Sequence, residues 1–167
     1  ELDATLGVFF SDVVETDKQQ NPQCRFVARF RWLEQQLGFD ARMPRQPCLR
    51  FENWRAAMNP AGITLVFPSA YLNSPASMYG HTMFRVDAAD QNDRTRLLAY
   101  TISYAAVSSG DEGFMFAFKG LAGAYPGAFA SMPYYLKVAE YNDIENRDVW
   151  EYQLNLPQPE IERILQH

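Results

Sequence analysis

Histidine and cysteine are scarce in this chain of 167 residues, with two of each. His167 is the last residue, so His81 is the only internal imidazole. A metal centre needs three or four converging ligands. Here only carboxylates are left to complete one, and no metal or other cofactor is expected. No run of Lys or Arg occurs, and the net charge is −5, which works against nucleic acid and anionic membrane surfaces as partners. Long apolar runs are missing too. The longest, "GITLVF" and "GFMFAF", have strand or core length, far short of the ~18 residues of a membrane span. The opening "ELDATLGVFF" has no charged leader followed by a long apolar stretch, so no signal peptide is visible. There is no internal repeat or low-complexity tract.

What is present is enough for a globular core: 47% of the residues are hydrophobic and 14% aromatic, well away from the composition of disordered chains. Leu2, Leu6, Phe9 and Phe10 fall at helical spacing from the first residues, and "PQPEIERILQH" reads as a helix beginning. A chain that opens and closes inside elements is expected to be a piece of something longer. Residues 24–38 carry apolar side chains at 26, 27, 30, 33 and 37, a helical stripe ending at Gly38. A short amphipathic helix is expected around Phe51–Met58. The period then changes. "ITLVF" (63–67) reads as a strand buried on both faces. "PSAYLNSPAS" (68–77) reads as a loop, and "HTMFRVD" (81–87) alternates, with Thr82, Phe84 and Val86 on one face and His81, Met83 and Arg85 on the other. "LLAYTISYA" (97–105) is the next antiparallel strand. "EGFMFAFKGLAGAYPGAF" (112–129) is aromatic and Gly-rich, with a short helix at best before Gly120. "YYLKVAEY" (134–141) and "RDVWEYQLNL" (147–156) read as two further strands. The expected class is α+β: N-terminal helices packed on an antiparallel meander of about five strands. One domain is expected, helical over 1–60, sheet-forming over 61–156 and ending in a helix start over 157–167.

His81 heads the candidates for chemistry. It opens a strand directly after Gly80, so the sheet would hold its ring in place, and imidazole titrates near neutral pH. A packed histidine making one hydrogen bond is the competing reading. Asp87 and Asp90, the nearest carboxylates, follow the strand into a turn and make a poor metal set. The preceding loop offers Ser74 and Ser77 as nucleophiles, but no G-x-S-x-G elbow frames either. Tyr71 and Asn73 are better suited to orient the histidine or donate to an oxyanion. Glu140 is a further candidate for the orienting role. "EYNDIENRDVWEY" (140–152) crowds Glu140, Asp143, Glu145 and Asp148 together, as a solvated hairpin tip commonly does, and fits no EF-hand. Cys24 and Cys48 stand 24 positions apart, and spacing leaves two readings open: a disulfide or two buried thiols.

The composite of "FPSAYLNSPASMYGHT" with "YTISYAA", "FKGLAGAYPGAF" and "EYNDIENRDVWEY" closely resembles the bacterial DUF4105 family, also called the Lnb N-terminal periplasmic domain. The resemblance runs over essentially the whole chain. It implies a periplasmic location, and with it a Cys24–Cys48 disulfide. The family is marked by a G-H-T histidine, here His81, and a downstream N-C-[ST] motif. That pairing is similar, at the level of fold analogy, to circularly permuted NlpC/P60 and LRAT-like members of the papain-like enzymes. There the histidine is the general base and the later cysteine the nucleophile. No N-C-[ST] occurs in this sequence, and both cysteines precede His81.

Two functions follow as expectations. The first is a thiol-dependent amide, peptide or ester hydrolase-like domain, with His81 as base, Tyr71 and Asn73 as helpers, and a nucleophile from the remainder of its own polypeptide. These residues alone would then be inactive. The second is a non-catalytic envelope domain that binds a partner through the aromatic segment holding Phe114, Phe116, Phe118, Tyr125 and Phe129. Enclosure of all five aromatics within the chain would exclude it.

Overall fold

The computed structural model describes residues 1–14, 16, 19–69, 81–107, 113–144 and 148–167. Two compact units form, one of Glu1–Ala57 with Pro157–His167 and one of Met58–Leu156.

The helical unit contains α1 (Leu2–Phe9), α2 (Pro22–Arg25), α3 (Val27–Leu37), most of α4 (Leu49–Met58) and, from the far end of the chain, α7 (Gln158–Gln166). The expected 24–38 helix is split at Phe26, whose backbone (φ −127°, ψ 51°) is not helical. Val27, Phe30 and Leu33 of the stripe are buried, while Phe26 and Leu37 are exposed. Gly38 ends α3 at φ 59°, the left-handed position that glycine takes without a Cβ clash. Phe9, Phe30 and Leu33 form the core, flanked by Leu6, Phe10 and Phe39. The Phe9 and Phe30 rings meet edge to face at 5.4 Å, the geometry favoured by their quadrupoles.

Two devices hold the irregular segments of this unit. The buried Gln23 side chain donates to the Phe9 and Pro44 carbonyls at 2.8 and 3.1 Å and accepts from the Gln46 amide at 3.0 Å. Asn21 caps α2 by accepting from the Gln23 amide, and its own amide donates to the Val13 carbonyl. The second device is covalent. Cys24 and Cys48 are joined in a disulfide that ties α2 to the start of α4.

In the sheet unit five antiparallel strands, β1 (Pro60–Pro68), β2 (Met83–Ala88), β3 (Tyr100–Ala106), β4 (Gly127–Pro133) and β5 (Val149–Leu154), lie in the order β4-β3-β2-β1-β5. The α+β class is as the sequence indicates, with helices first and a five-stranded antiparallel sheet. Its details differ at four places. Residues 134–141 are not a strand but α6 (Tyr134–Val138) running into a π-helical turn, Ala139–Ile144. Pro133 presets φ for the helix start, and Tyr134, Val138 and Tyr141 recur at helical spacing on the face that reaches Val66 and Met83. The missing strand is supplied by 127–133, whose small residues pair with β3 from Ala106↔Gly127 to Tyr100↔Pro133. The sheet is not a simple meander either, because β5 returns to the free side of β1. Finally, β1 is not buried throughout on both faces. Ile63, Thr64 and Val66 are enclosed, but Phe67 is exposed. A short helix, α5 (Gly113–Leu121), precedes β4.

Opening the disulfide releases a loop of 24 residues, worth about 3–4 kcal/mol on the chain-entropy account. Cys24→Ser is therefore expected to lower the unfolding free energy of the helical unit by about that amount. Urea denaturation with and without reductant measures it, and reductant should leave the variant's midpoint unmoved.

Candidate functional site

Register decides which side chains share a face. Thr64 lies opposite Arg85 on β2 and Gln153 on β5, and Val66 lies between Met83 and Glu151. Partners in an antiparallel ladder point to the same side. One face therefore carries Thr64 and Val66, Met83, Arg85 and Asp87, Thr101 and Ser103, and Val149, Glu151 and Gln153. It divides into an apolar part and a charged part. The apolar part is Val66, Met83, Tyr134 and Tyr141, with Val138 and Val149 packed against it.

The charged part is centred on Arg85, 5% exposed. Its Nε donates to Asp87 Oδ1 at 2.7 Å, one terminal nitrogen donates to Glu151 Oε2 at 2.7 Å, and the other reaches Thr64 Oγ1 at 3.2 Å. The Thr64 hydroxyl donates to Asp87 Oδ2 at 2.5 Å, and the Gln91 amide donates to Asp87 Oδ1 at 2.9 Å. The Tyr134 hydroxyl donates to Glu151 Oε1 at 2.7 Å, while its ring lies 5.1 Å from the Arg85 guanidinium. Arg96 stands 3.8 Å from Glu151 at the rim. An open cleft of about 380 Å³ exposes the outer side of this network, lined also by Asn92, Asp93 and Gln153.

Burial by itself would raise the Asp87 and Glu151 carboxyls. The Thr64, Gln91 and Arg85 donors outweigh it at Asp87, and Tyr134 and Arg85 outweigh it at Glu151, so both are held below the usual carboxylate range. Burial and the Glu151 acceptor push the Tyr134 phenol well above its ordinary range. Arg85 stays charged: burial opposes it, but its two carboxylates outweigh the cost. No shifted group in this cleft is poised to exchange a proton near neutrality. The cleft is built to hold charge still.

His81 lies elsewhere. β2 begins at Met83, because its pairing with β1 ends at Val66↔Met83, so His81 sits two residues ahead of the strand rather than opening it. It is half-buried, at the end of the sheet where β1 finishes in Pro68 and β5 begins at Val149. Six residues of strand rise, roughly 20 Å, separate it from Asp87, and the Val66–Met83–Tyr134–Tyr141 cluster lies between. Tyr71, Asn73, Ser74 and Ser77 fall outside the described residues. Both cysteines belong to the helical unit and to its disulfide. Glu140 accepts from Lys137 at 2.7 Å. Asp87 is a buried strand residue rather than a turn residue, and Asp90 accepts from Asn59 at 3.2 Å. Among the described residues no three His, Cys, Asp or Glu side chains converge for a metal.

Sequence reading missed Arg85, Glu151 and Tyr134 as a unit. The available signal was a charged pair two residues apart in an otherwise apolar strand, "MFRVDA", which puts both charges on one buried face. The larger concavity of the helical unit, about 760 Å³, runs between α3 and α7 past Trp32 and Arg163. Of the five aromatics in the Gly-rich segment, Phe114, Phe118 and Phe129 are exposed. Phe116 and Tyr125 are half-buried, their rings 5.8 Å apart. The enclosure that would exclude a binding role is absent.

Removing Arg85 strands the buried Asp87 carboxylate and leaves the partly exposed Glu151 without its cation, so Arg85→Ala is expected to cost about 3–5 kcal/mol, read from urea unfolding of the sheet unit. The depressed carboxyls also set a pH window. Their contribution is present above the unfolded carboxylate range and is lost as pH falls through the folded values. Tyr134's is present below the ordinary phenol range and is lost as pH rises beyond it. Unfolding midpoints measured against pH should show both limbs, with the acid limb flattened in Glu151→Gln.

Residues 50–167 match the Lnb N-terminal periplasmic domain, and residues 1–36 match a second family, a domain of unknown function (DUF7843). Neither the curated proteins nor the solved structures give a match. The first match spans more than half of the chain and takes in all five strands, His81 and the Arg85 network. Its description places the domain in the periplasm, an oxidising compartment that suits the disulfide. Among the described residues no helix is long and apolar enough to cross a membrane. The chain belongs to the family of Lnb N-terminal periplasmic domains.

Proposed function

We propose that this periplasmic domain contributes the base of a thiol-dependent acyl-cleaving site, with a cysteine from outside these 167 residues as nucleophile. The substrate would be an amide, a peptide or an ester. One observation carries the reading: the disulfide takes up both cysteines, while His81 stands at the entrance to β2, the middle strand of the sheet. A base held there keeps its position against a reacting group, and a thiol that is to act on substrate must come from elsewhere. In this reading His81 accepts the thiol proton as sulfur attacks the carbonyl carbon. The tetrahedral intermediate collapses, the C–N or C–O bond breaks, and the imidazolium protonates the leaving group. Water, deprotonated by His81, then releases the acid from the thioester. Tyr71 and Asn73, close before His81 in sequence, are assigned to orient the ring or to donate to the oxyanion.

A second reading, a non-catalytic envelope domain, is favoured by the exposed aromatics of 113–129 and needs no nucleophile. The two separate in one experiment on the full-length protein. Labelling by a thiol-directed acyl probe is expected in the wild type and should fall by at least about a hundredfold in His81→Ala, the usual range for loss of a general base. Equal labelling of both proteins would remove His81 from the chemistry.

A further inference from the structure

Arg85 has more donors than its network uses. A guanidinium carries five N–H groups. Three of them go to Asp87, Glu151 and Thr64, and the others meet no acceptor among the described residues. The side chain is buried, yet it lines the open cleft of about 380 Å³. Buried donors are rarely left without an acceptor, so these point to something that enters the cleft. Two further groups of the lining are unengaged. The Asp93 carboxylate stands at the exposed rim, and the Gln153 amide lies on β5 opposite Thr64. Neither side chain has a hydrogen bond or an ion pair among the described residues. Arg96, half-exposed, stops 3.8 Å from Glu151, beyond hydrogen-bond reach.

The lining narrows what fits. Ala88 is its one apolar residue. An acyl chain or an apolar side chain would gain little there, in contrast to the mostly apolar pockets of ordinary small-molecule sites. The charges of Arg85 and Arg96 balance those of Asp87 and Glu151, which disfavours a strongly charged guest. A cation would meet two guanidinium groups, and both Asp87 oxygens already accept hydrogen bonds. An anion would meet Glu151 and Asp93. A neutral ligand that both donates and accepts is the remaining choice. Hydroxyl groups do both. Neighbouring hydroxyls on a sugar ring present them in pairs, at the spacing of the two ends of a carboxylate, a guanidinium or an amide. Arg85 is already fixed by its carboxylates, so little ordering is needed on binding.

We propose that this cleft is a saccharide site. Ring hydroxyls accept from the unengaged N–H groups of Arg85 and from Arg96, they donate to Asp93, and the Gln153 amide takes a further hydroxyl. The cleft lies at the small end of ligand pockets, ~300–1,000 Å³, and suits a mono- or disaccharide. Binding is non-covalent and involves no reaction. The site lies roughly 20 Å from His81 along the sheet face, so the proposal goes beyond the acyl-cleaving reading and stands whether or not His81 is catalytic.

The test is saturation-transfer NMR on the full-length protein with cellobiose, maltose and N,N′-diacetylchitobiose, and with glycylglycine as a zwitterionic comparison. The expected result is transfer to the ring protons of at least one disaccharide and none to glycylglycine. Asp93→Ala should weaken that binding by about tenfold and Gln153→Ala by about fivefold, at unchanged circular dichroism, as expected for losing one charged and one neutral hydrogen bond. Arg94→Ala, beside the cleft but not lining it, should leave the binding as it was. Three results would overturn the proposal. One is no transfer to any of the disaccharides. Another is transfer undiminished in both weakened variants, which puts the sugar elsewhere on the protein. The third is transfer to glycylglycine that Asp93→Ala removes, which marks a site for a peptide or amino-acid zwitterion. Thiol-probe labelling in His81→Ala reads the hydrolase proposal separately, so the two fail independently.

Discussion

The Arg85 guanidinium, fixed between Asp87 and Glu151, is the interaction on which the sheet unit depends. It joins side chains from β1, β2 and β5 and, through Tyr134, the start of α6. Buried ion pairs are a weak source of net stability, because desolvation offsets much of the attraction. Their force here lies in register. A slip of one residue between β1 and β2 would turn Arg85 and Asp87 to the face of Ile63 and Val86, both fully buried and apolar. Charges stranded there would cost more than any single packing error, so the network specifies one alignment.

That alignment gives the two ends of the sheet face different character. At one end the carboxylates stay ionised and the phenol stays neutral over a wide range around neutrality, so the cleft keeps a fixed arrangement of charge. At the other stands His81, separated by a plug of Val66, Met83, Tyr134 and Tyr141. The plug and the network share Tyr134, whose ring belongs to one and whose hydroxyl belongs to the other.

Helix stripes and buried strands were legible because they rest on short-range periodicity. Val27, Phe30 and Leu33 are buried as their spacing indicates, and "ITLVF" lies inside β1. "YYLKVAEY" misled because its apolar residues satisfy both periods, and only Pro133 with the Val66–Met83 surface selects the helix. β4 was hidden for the opposite reason. "GAFASMP" has little strand propensity of its own, and seven paired positions along β3 make it a strand. Of the candidate site, His81 and the cysteine pair stood out in the sequence. Arg85, Glu151 and Tyr134 did not, because residues 85 and 151 come together only when β5 closes against β1.

The sequence by itself determined the α+β class, the family motif around His81 and the lack of an N-C-[ST] triplet among these 167 residues. Each of these is a local pattern or a matter of composition. Tertiary structure decided that β5 sits beside β1, that Arg85 finds Glu151, that the two cysteines are joined and that the stripe of α5 faces outward. The physical reason is distance along the chain. Contacts between residues 85 and 151, or 24 and 48, depend on which surfaces meet, and no local period encodes that meeting.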